Sequence, residues 1–291
     1  MKLLETHTVG LPVGNETKPV VTMKEYAVIA ALDLETSNSV LGIVSKIAGI
    51  VDGVKIGVPT LLESGTGILS KVRDLMDDQL LLVDLKIADI GFRSGTSWSG
   101  TNGKILEKLR GSGATHVTVH GFPGPWSVAE AVHIGNEVGL GILLLPLMSH
   151  VGADIFFSRP IEASGFERSC IVAGINPNLS GDLPVRDVTD GILSLGETIG
   201  VAGYIGPATR PEDLRRYRMF TDKPIWCPGF GRQDRLGRSL AKQFQDWADV
   251  LGPRSAAIVG STIYGARDAV AAAHEVIQIR DSIKSVRHLT E

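Results

Sequence analysis

The chain has 291 residues, 43% of them hydrophobic, and carries a formal net charge of -3. That is enough apolar material for a sizeable core, and α/β barrels of this length usually form a single domain. The near-balance of charge excludes a general attraction to nucleic acid or to an anionic membrane, so any anion must be held by local groups.

Two cysteines, Cys170 and Cys227, give neither a disulfide framework nor a paired zinc spacing, and they suit a reducing cytoplasm. The first 25 residues include Glu5, Glu16 and Glu25 and lack the apolar segment of a signal peptide. The longest apolar run, Gly139 to Met148, is too short to span a bilayer. The expectation is a cytoplasmic protein with neither membrane nor nucleic acid as partner.

Residues 1–24 read as an N-terminal extension and residues 25–291 as the folded domain. A first apolar run, "YAVIAALD" (26–33), is followed by helical spacing in "SNSVLGIVSKIAGI" (37–50) and by a second run, "VDGVKIG" (51–57). The third, "LLLVDLK" (80–86), leads into "GFRSGTSWSGT" (91–101), a polar Gly- and Ser-rich insertion expected to be loop. Helical spacing returns in "NGKILEKLRGSG" (102–113), then "THVTVHG" (115–121), a helix in "WSVAEAVHIGNEVG" (126–139) and "GILLLPLMS" (141–149). Residues 150–200 are longer than one strand-to-helix link requires and are expected to hold an insertion of loop with room for a short extra strand. The runs "VAGYIG" (201–206), "KPIWCPG" (223–229) and "AAIVGS" (256–261) complete a set of eight. Strand followed by helix, repeated eight times, predicts a single (β/α)8 barrel, and the absence of G-x-G-x-x-G after the first strand weighs against a doubly wound sheet.

The third run ends in charge. Residues i and i+2 of a strand share a face, so Asp84 and Lys86 are expected to point together toward the active-site mouth of the barrel. Asp33 closes the first strand and Lys55 lies near the end of the second. A structural ion-pair network is the bland alternative, but four charges on three successive strands are costly to desolvate unless a site uses them. Such an array suits the loss of a carboxylate followed by protonation of the carbanion left behind. Repulsion disfavours the bound carboxylate, while a lysine stabilises the developing charge and donates the proton.

These residues and others in order, "ALDL" (31–34), "VDGVKIGVPTLL" (51–62), "DLKIADI" (84–90), "VTVHGFPG" (117–124), "MSHVGA" (148–153), "YIGPATRPEDL" (204–214), "PGFGRQ" (228–233) and "IVGSTIY" (258–264), closely resemble the orotidine 5'-monophosphate decarboxylase family, particularly its archaeal type. The resemblance implies that Lys55, Asp84, Lys86 and Asp89 form a catalytic tetrad. Lys86 would protonate C6 of the pyrimidine, Asp84 would face the departing carboxylate, and Asp89 would reach into the partner's site across a homodimer interface. It also implies that Asp33 and Lys55 hold ribose hydroxyls, that Ser149 binds the pyrimidine edge, and that neither metal nor organic cofactor is used. His120 and His150 flank the site without metal-ligand spacing and are read as structural or supporting. Among the aromatic residues, Trp98, Trp126 and Phe230 are candidates to cover a base, with Trp126 read as core or surface packing.

Barrels commonly hold phosphate in the loops after strands seven and eight, where Pro228 to Gln233 and Gly260 to Ser261 fall. Gln233 matches the lid glutamine of the resembled family, but Ser261 stands where that family has an arginine that pairs with the 5'-phosphate. Either a lid cation, Arg232, Arg235 or Arg238, supplies the charge from another direction, or the substrate differs at that end. The insertion at 91–101 leaves open whether Thr101 and Asn102 meet the family's threonine–asparagine position beside the partner's site. The reading is thus a decarboxylase converting orotidine 5'-monophosphate to uridine 5'-monophosphate. Its rivals are a diverged relative acting on another nucleotide, a nucleoside or a sugar phosphate, and a nucleotide-binding barrel without turnover.

Overall fold

The computed structural model describes residues 23–150, 152–176, 185–234 and 236–288, with side chains as far as residue 283. Most of the expected extension at 1–24, the centre of the expected 150–200 insertion and Arg235 lie outside the described residues.

In chain order the elements are β1 (Ala27–Leu32), α1 (Ser37–Ile47), β2 (Gly53–Gly57), α2 (Val58–Ser64), α3 (Gly67–Arg73), β3 (Leu80–Ile87), β4 (Arg93–Ser94), β5 (Ser97–Trp98), α4 (Thr101–Glu107), β6 (His116–His120) and α5 (Pro125–Val138). The second half runs β7 (Gly141–Leu145), α6 (Asp154–Phe157), α7 (Ala163–Val172), α8 (Val188–Ile199), β8 (Gly203–Ile205), α9 (Pro211–Phe220), β9 (Ile225–Pro228), α10 (Leu240–Leu251), β10 (Ser255–Val259), α11 (Ser261–Tyr264) and α12 (Ala269–His288). Eight parallel strands close in the order β1-β10-β9-β8-β7-β6-β3-β2. Each expected apolar run contributes one of them, and the single (β/α)8 barrel is the fold.

Alternation along the strands builds two apolar layers. On β1, Ala27, Ile29 and Ala31 face the barrel interior with Leu82, Leu143, Ile205 and Trp226. Val28, Ala30 and Leu32 face outward, against the helices. Both faces are therefore apolar, which is why the strands read as continuous runs instead of half-polar ones. Helix starts follow local chemistry: Thr36, Asp187 and Ser239 each accept a backbone N–H in the first turn of α1, α8 and α10, and proline opens α2, α5 and α9. At the base of the barrel, buried Asp52 accepts the Val28 N–H at 2.8 Å and the Arg280 guanidinium at 2.7 Å, tying α12 to the first two strands.

Two expectations are corrected. The 91–101 segment is not plain loop: Arg93 pairs with Trp98 and Ser94 with Ser97 in a small antiparallel hairpin, with Gly95 in the left-handed region at φ 58°. The described part of 150–200 holds helices α6, α7 and α8 and a lone bridge between Pro160 and Asp187, with no added strand. The hairpin strands, two residues each, are too short to show a periodicity. Among the described residues no helix is long and apolar enough to cross a membrane.

Candidate active site

At the C-terminal ends of the strands the barrel opens on a cavity of about 270 Å³. Asp33, Lys55, Asp84, Lys86 and Thr118 line it, as do Ser149, Pro228, Arg232, Gln233, Gly260 and Ser261.

Lys55 lies in the middle of β2, in register with Ala31 on one side and Leu82 on the other, so its stem rises from the apolar interior. Its ammonium meets Asp33 Oδ1 at 2.9 Å and Asp84 Oδ2 at 3.1 Å. Lys86 Nζ donates to both oxygens of Asp84 at 2.8 Å. The result is one row of alternating sign, Asp33, Lys55, Asp84, Lys86. Burial opposes the charge on Lys55, but Asp84 and Asp33 hold its ammonium above the usual lysine range. Burial likewise opposes the charge on Asp84, but Lys55, Lys86 and hydrogen bonds from Lys86 and Thr118 hold its carboxyl below the usual range. Each partner thus keeps its neighbour ionised.

Regular pleating does not by itself produce this pairing. The β3–β6 register runs Leu82 to His116 and Val83 to Val117, then shifts, and resumes at Ile87 to Val119. The surplus length bulges at Lys86, whose φ of 47° is left-handed and costs a residue with a Cβ about 1–2 kcal/mol. Thr118 of β6 anchors the bulge by accepting the Lys86 N–H at 2.8 Å and donating its hydroxyl to Asp84 Oδ1 at 2.8 Å.

Asp89 and Thr101 stand apart from this row within one chain. The Asp89 side chain is exposed and accepts the Ile90 N–H at 2.7 Å. Its peptide is clamped by buried Asn102, which exchanges two hydrogen bonds with it, and by Ser127, which donates to its carbonyl at 2.7 Å. Thr101 opens α4, its N–H donating to the Ile90 carbonyl, and neither it nor Asp89 lines the cavity.

Of the lid cations, Arg238 is spent on Asp234 and Asp246, at 2.6 and 2.8 Å, and does not serve the cavity. Arg232 is exposed and lines it. Gly231, at φ 80°, packs against Thr262 so closely that an added Cβ would lie 2.2 Å from its Oγ1, which seats the lid on α11. Phe230 lines the cavity from a buried cluster with Phe244 and Trp247, whereas Trp98 and Trp126 pack edge to face on each other elsewhere. His120 stacks on Phe157; burial and the nearby Lys86 charge push its pKa down to about 4, so it is neutral at pH 7. His150 is exposed. No group of three or more residues able to hold a metal occurs among the described residues.

A wider groove at the base of the barrel is lined by Arg218, Lys223 and Arg254. Arg218 there is committed to the carbonyls of Thr221, Lys223, Leu251 and Arg254, and Lys223 to Glu197, so the groove lacks the reactive array of the mouth. Thr118 and Ser127 were missed in sequence because a lone hydroxyl in a β-branched or amphipathic run carries no signal of its own.

The profile of the Orotidine 5'-phosphate decarboxylase / HUMPS family matches residues 26–276. The orotidine 5'-phosphate decarboxylase of Methanococcoides burtonii is 28% identical over 255 residues, 87% of this chain and 96% of that protein. That of Pyrococcus abyssi is 31% identical over 251 residues, 86% of this chain and 96% of the relative. Among solved structures, the Methanocaldococcus jannaschii enzyme complexed with the inhibitor BMP superposes with a TM-score of 0.68 at 24% identity, covering 88% of this chain and 99% of that one. The Pyrococcus horikoshii OT3 enzyme gives 0.63 at 26% identity, covering 88% and 99%.

Proposed function

Because the chain belongs to the Orotidine 5'-phosphate decarboxylase / HUMPS family, we propose that it decarboxylates orotidine 5'-monophosphate to uridine 5'-monophosphate, a step of pyrimidine nucleotide synthesis. The observation that carries the reading is the row Asp33–Lys55–Asp84–Lys86 at the barrel mouth. Asp84, kept ionised by two lysines, faces the substrate carboxylate and raises the energy of its bound form. The C6–carboxylate bond breaks, carbon dioxide leaves, and the electron pair stays on C6 beside the Lys86 ammonium, which supplies the proton. Asp33 and Lys55 hold the ribose hydroxyls and Ser149 the pyrimidine edge, while Pro228, Gln233, Gly260 and Ser261 surround the phosphate end. No step of this chemistry calls on a metal or an organic cofactor.

With Ser261 at the phosphate end, Arg232 is the cation we assign to the 5'-phosphate, since Arg238 is occupied by two aspartates. Losing one charge-assisted contact costs about 1.5–3 kcal/mol, so Arg232→Ala should raise KM about 10- to 100-fold. Orotidine, which lacks the phosphate, should show no such change. An equal effect on both compounds would remove Arg232 from the phosphate site.

The reaction itself is tested by following orotate absorbance in chelator-treated protein given orotidine 5'-monophosphate or orotidine. Decay of the phosphorylated compound alone supports the reading. Decay of orotidine alone would favour the substrate change that Ser261 suggests, and binding of uridine 5'-monophosphate without any decay would favour a barrel that has lost turnover. We also assign the protein to the cytoplasm, for which two buried free cysteines are suited, and to a homodimer, discussed below.

A further inference from the structure

Thr118 lies beside the Asp84–Lys86 end of the charged row yet bears no charge, and it is 1% exposed. Its hydroxyl oxygen accepts the Lys86 N–H at 2.8 Å. Its one proton is then free for Asp84 Oδ1, 2.8 Å away, and an ionised carboxylate can only accept. The polarity of the relay, Lys86 N–H to Thr118 O–H to Asp84, is therefore fixed. We propose that Thr118 is a positioning residue of the decarboxylation: a single hydroxyl holds the left-handed turn that aims Lys86 and fixes the orientation of Asp84.

The two lysines cannot do this alone. Asp84 Oδ1 receives Lys86 and Thr118, and Oδ2 receives Lys86 and Lys55. When Lys86 gives its proton to C6, its attraction to both oxygens weakens. The Thr118 bond is the contact on Oδ1 that the proton transfer leaves intact, so it keeps Asp84 in place until Lys86 is recharged. The same hydroxyl satisfies the Lys86 N–H, which the bulge removes from the regular β3–β6 ladder.

This inference rests on the reaction proposed above, and two readouts separate the two. Thr118→Val and Thr118→Ala, the second without steric risk, should each lower kcat about 10- to 100-fold with KM changed less than about threefold, as for loss of a hydrogen bond to a charged group that acts in the transition state. Thr118→Ser, which keeps the hydroxyl, should restore kcat to within about threefold of the parent. In ligand-free protein, the carboxyl carbon of Asp84, followed by NMR in chains labelled with carbon-13 at aspartate, should titrate at higher pH in the Val and Ala variants than in the Ser variant. The charged groups facing that carboxyl, Lys55 on β2 and Lys86 on its own strand, with Asp33 of the β1 end beyond Lys55, are unchanged in all three. An inactive parent enzyme overturns the proposed reaction, but the NMR comparison still decides whether Thr118 positions Asp84. Unchanged titration together with unchanged kcat overturns the inference, and so does a Ser variant as impaired as the Val variant.

Discussion

Asp84 carries the opposing demands of the site, since it must stay charged while largely buried. Its side chain is 13% exposed and its carboxyl is held below the usual range. The stabilisation it gives is complete above the unfolded-state pKa of about 3.9 and is lost as pH falls through the lower folded-state value. Lys55 shifts the other way: its contribution is complete below about pH 10.4 and is lost as pH rises through the raised folded-state value. The row therefore holds together across the whole neutral range. Asp84→Asn removes the charge that neutralises two lysines, although Asp33 still faces Lys55. We expect it to cost about 3 kcal/mol at pH 7, the low end for breaking a buried pair. In urea titrations stepped downward in pH, the gap from the parent protein should stay constant to about pH 4 and narrow below it. A gap that instead widened in acid would show that Asp84 is not held ionised by the lysines.

The hairpin β4–β5 shows how an element is placed by a residue outside it. Glu130, in the middle of α5 and fully buried, accepts the Gly100 N–H, and the amides of Gly103 and Phe92 also turn toward its carboxylate. An added Cβ at Gly100 would collide with that carboxylate, so glycine is required there. Arg93 covers the Trp98 ring at 5.4 Å, and Trp98 packs on Trp126 of α5. Glu130→Ala should cost about 1–3 kcal/mol for leaving the buried Gly100 N–H without its acceptor. It should also speed amide exchange in residues 91–103 while leaving the barrel strands protected. Uniform loss of protection would mean that Glu130 supports the whole barrel instead. None of this was legible in the sequence, where Glu130 reads as an ordinary polar position of an amphipathic helix and 91–101 as a loop. The barrel strands were legible because both faces of each are buried, which writes an unbroken apolar run. The charged row was legible for the opposite reason, since charges at the end of such a run have no packing role. The bulge at Lys86 was not, because a left-handed residue other than glycine leaves no mark in composition.

At the scale of the whole molecule, the proposed homodimer makes a claim about Asp89, which does not line the mouth of its own chain. Asp89 is exposed and does not line the cavity that holds Lys55, Asp84 and Lys86, yet its peptide is fixed by hydrogen bonds to Asn102 and Ser127. The segments that follow β3, β6 and β7 carry exposed apolar side chains: Ile90 at 68%, Phe92 at 51%, Phe122 at 59% and, on α6, Phe156 at 73%. Exposed large apolar groups in the segments that follow the strand ends are candidates for an association surface. Two chains meeting through such a surface about a twofold axis would bury them and carry each Asp89 toward the other chain's cavity. Chains bearing Asp89→Ala and chains bearing Lys86→Ala should then each be inactive alone. If the subunits exchange freely, half of the mixed dimers are hybrids with one intact site apiece, so about a quarter of the parent activity should return. Hybrid formation is confirmed by a mass tag on one chain. Recovery without hybrids, or hybrids without recovery, would place Asp89 outside the shared site and leave the exposed apolar groups to another role.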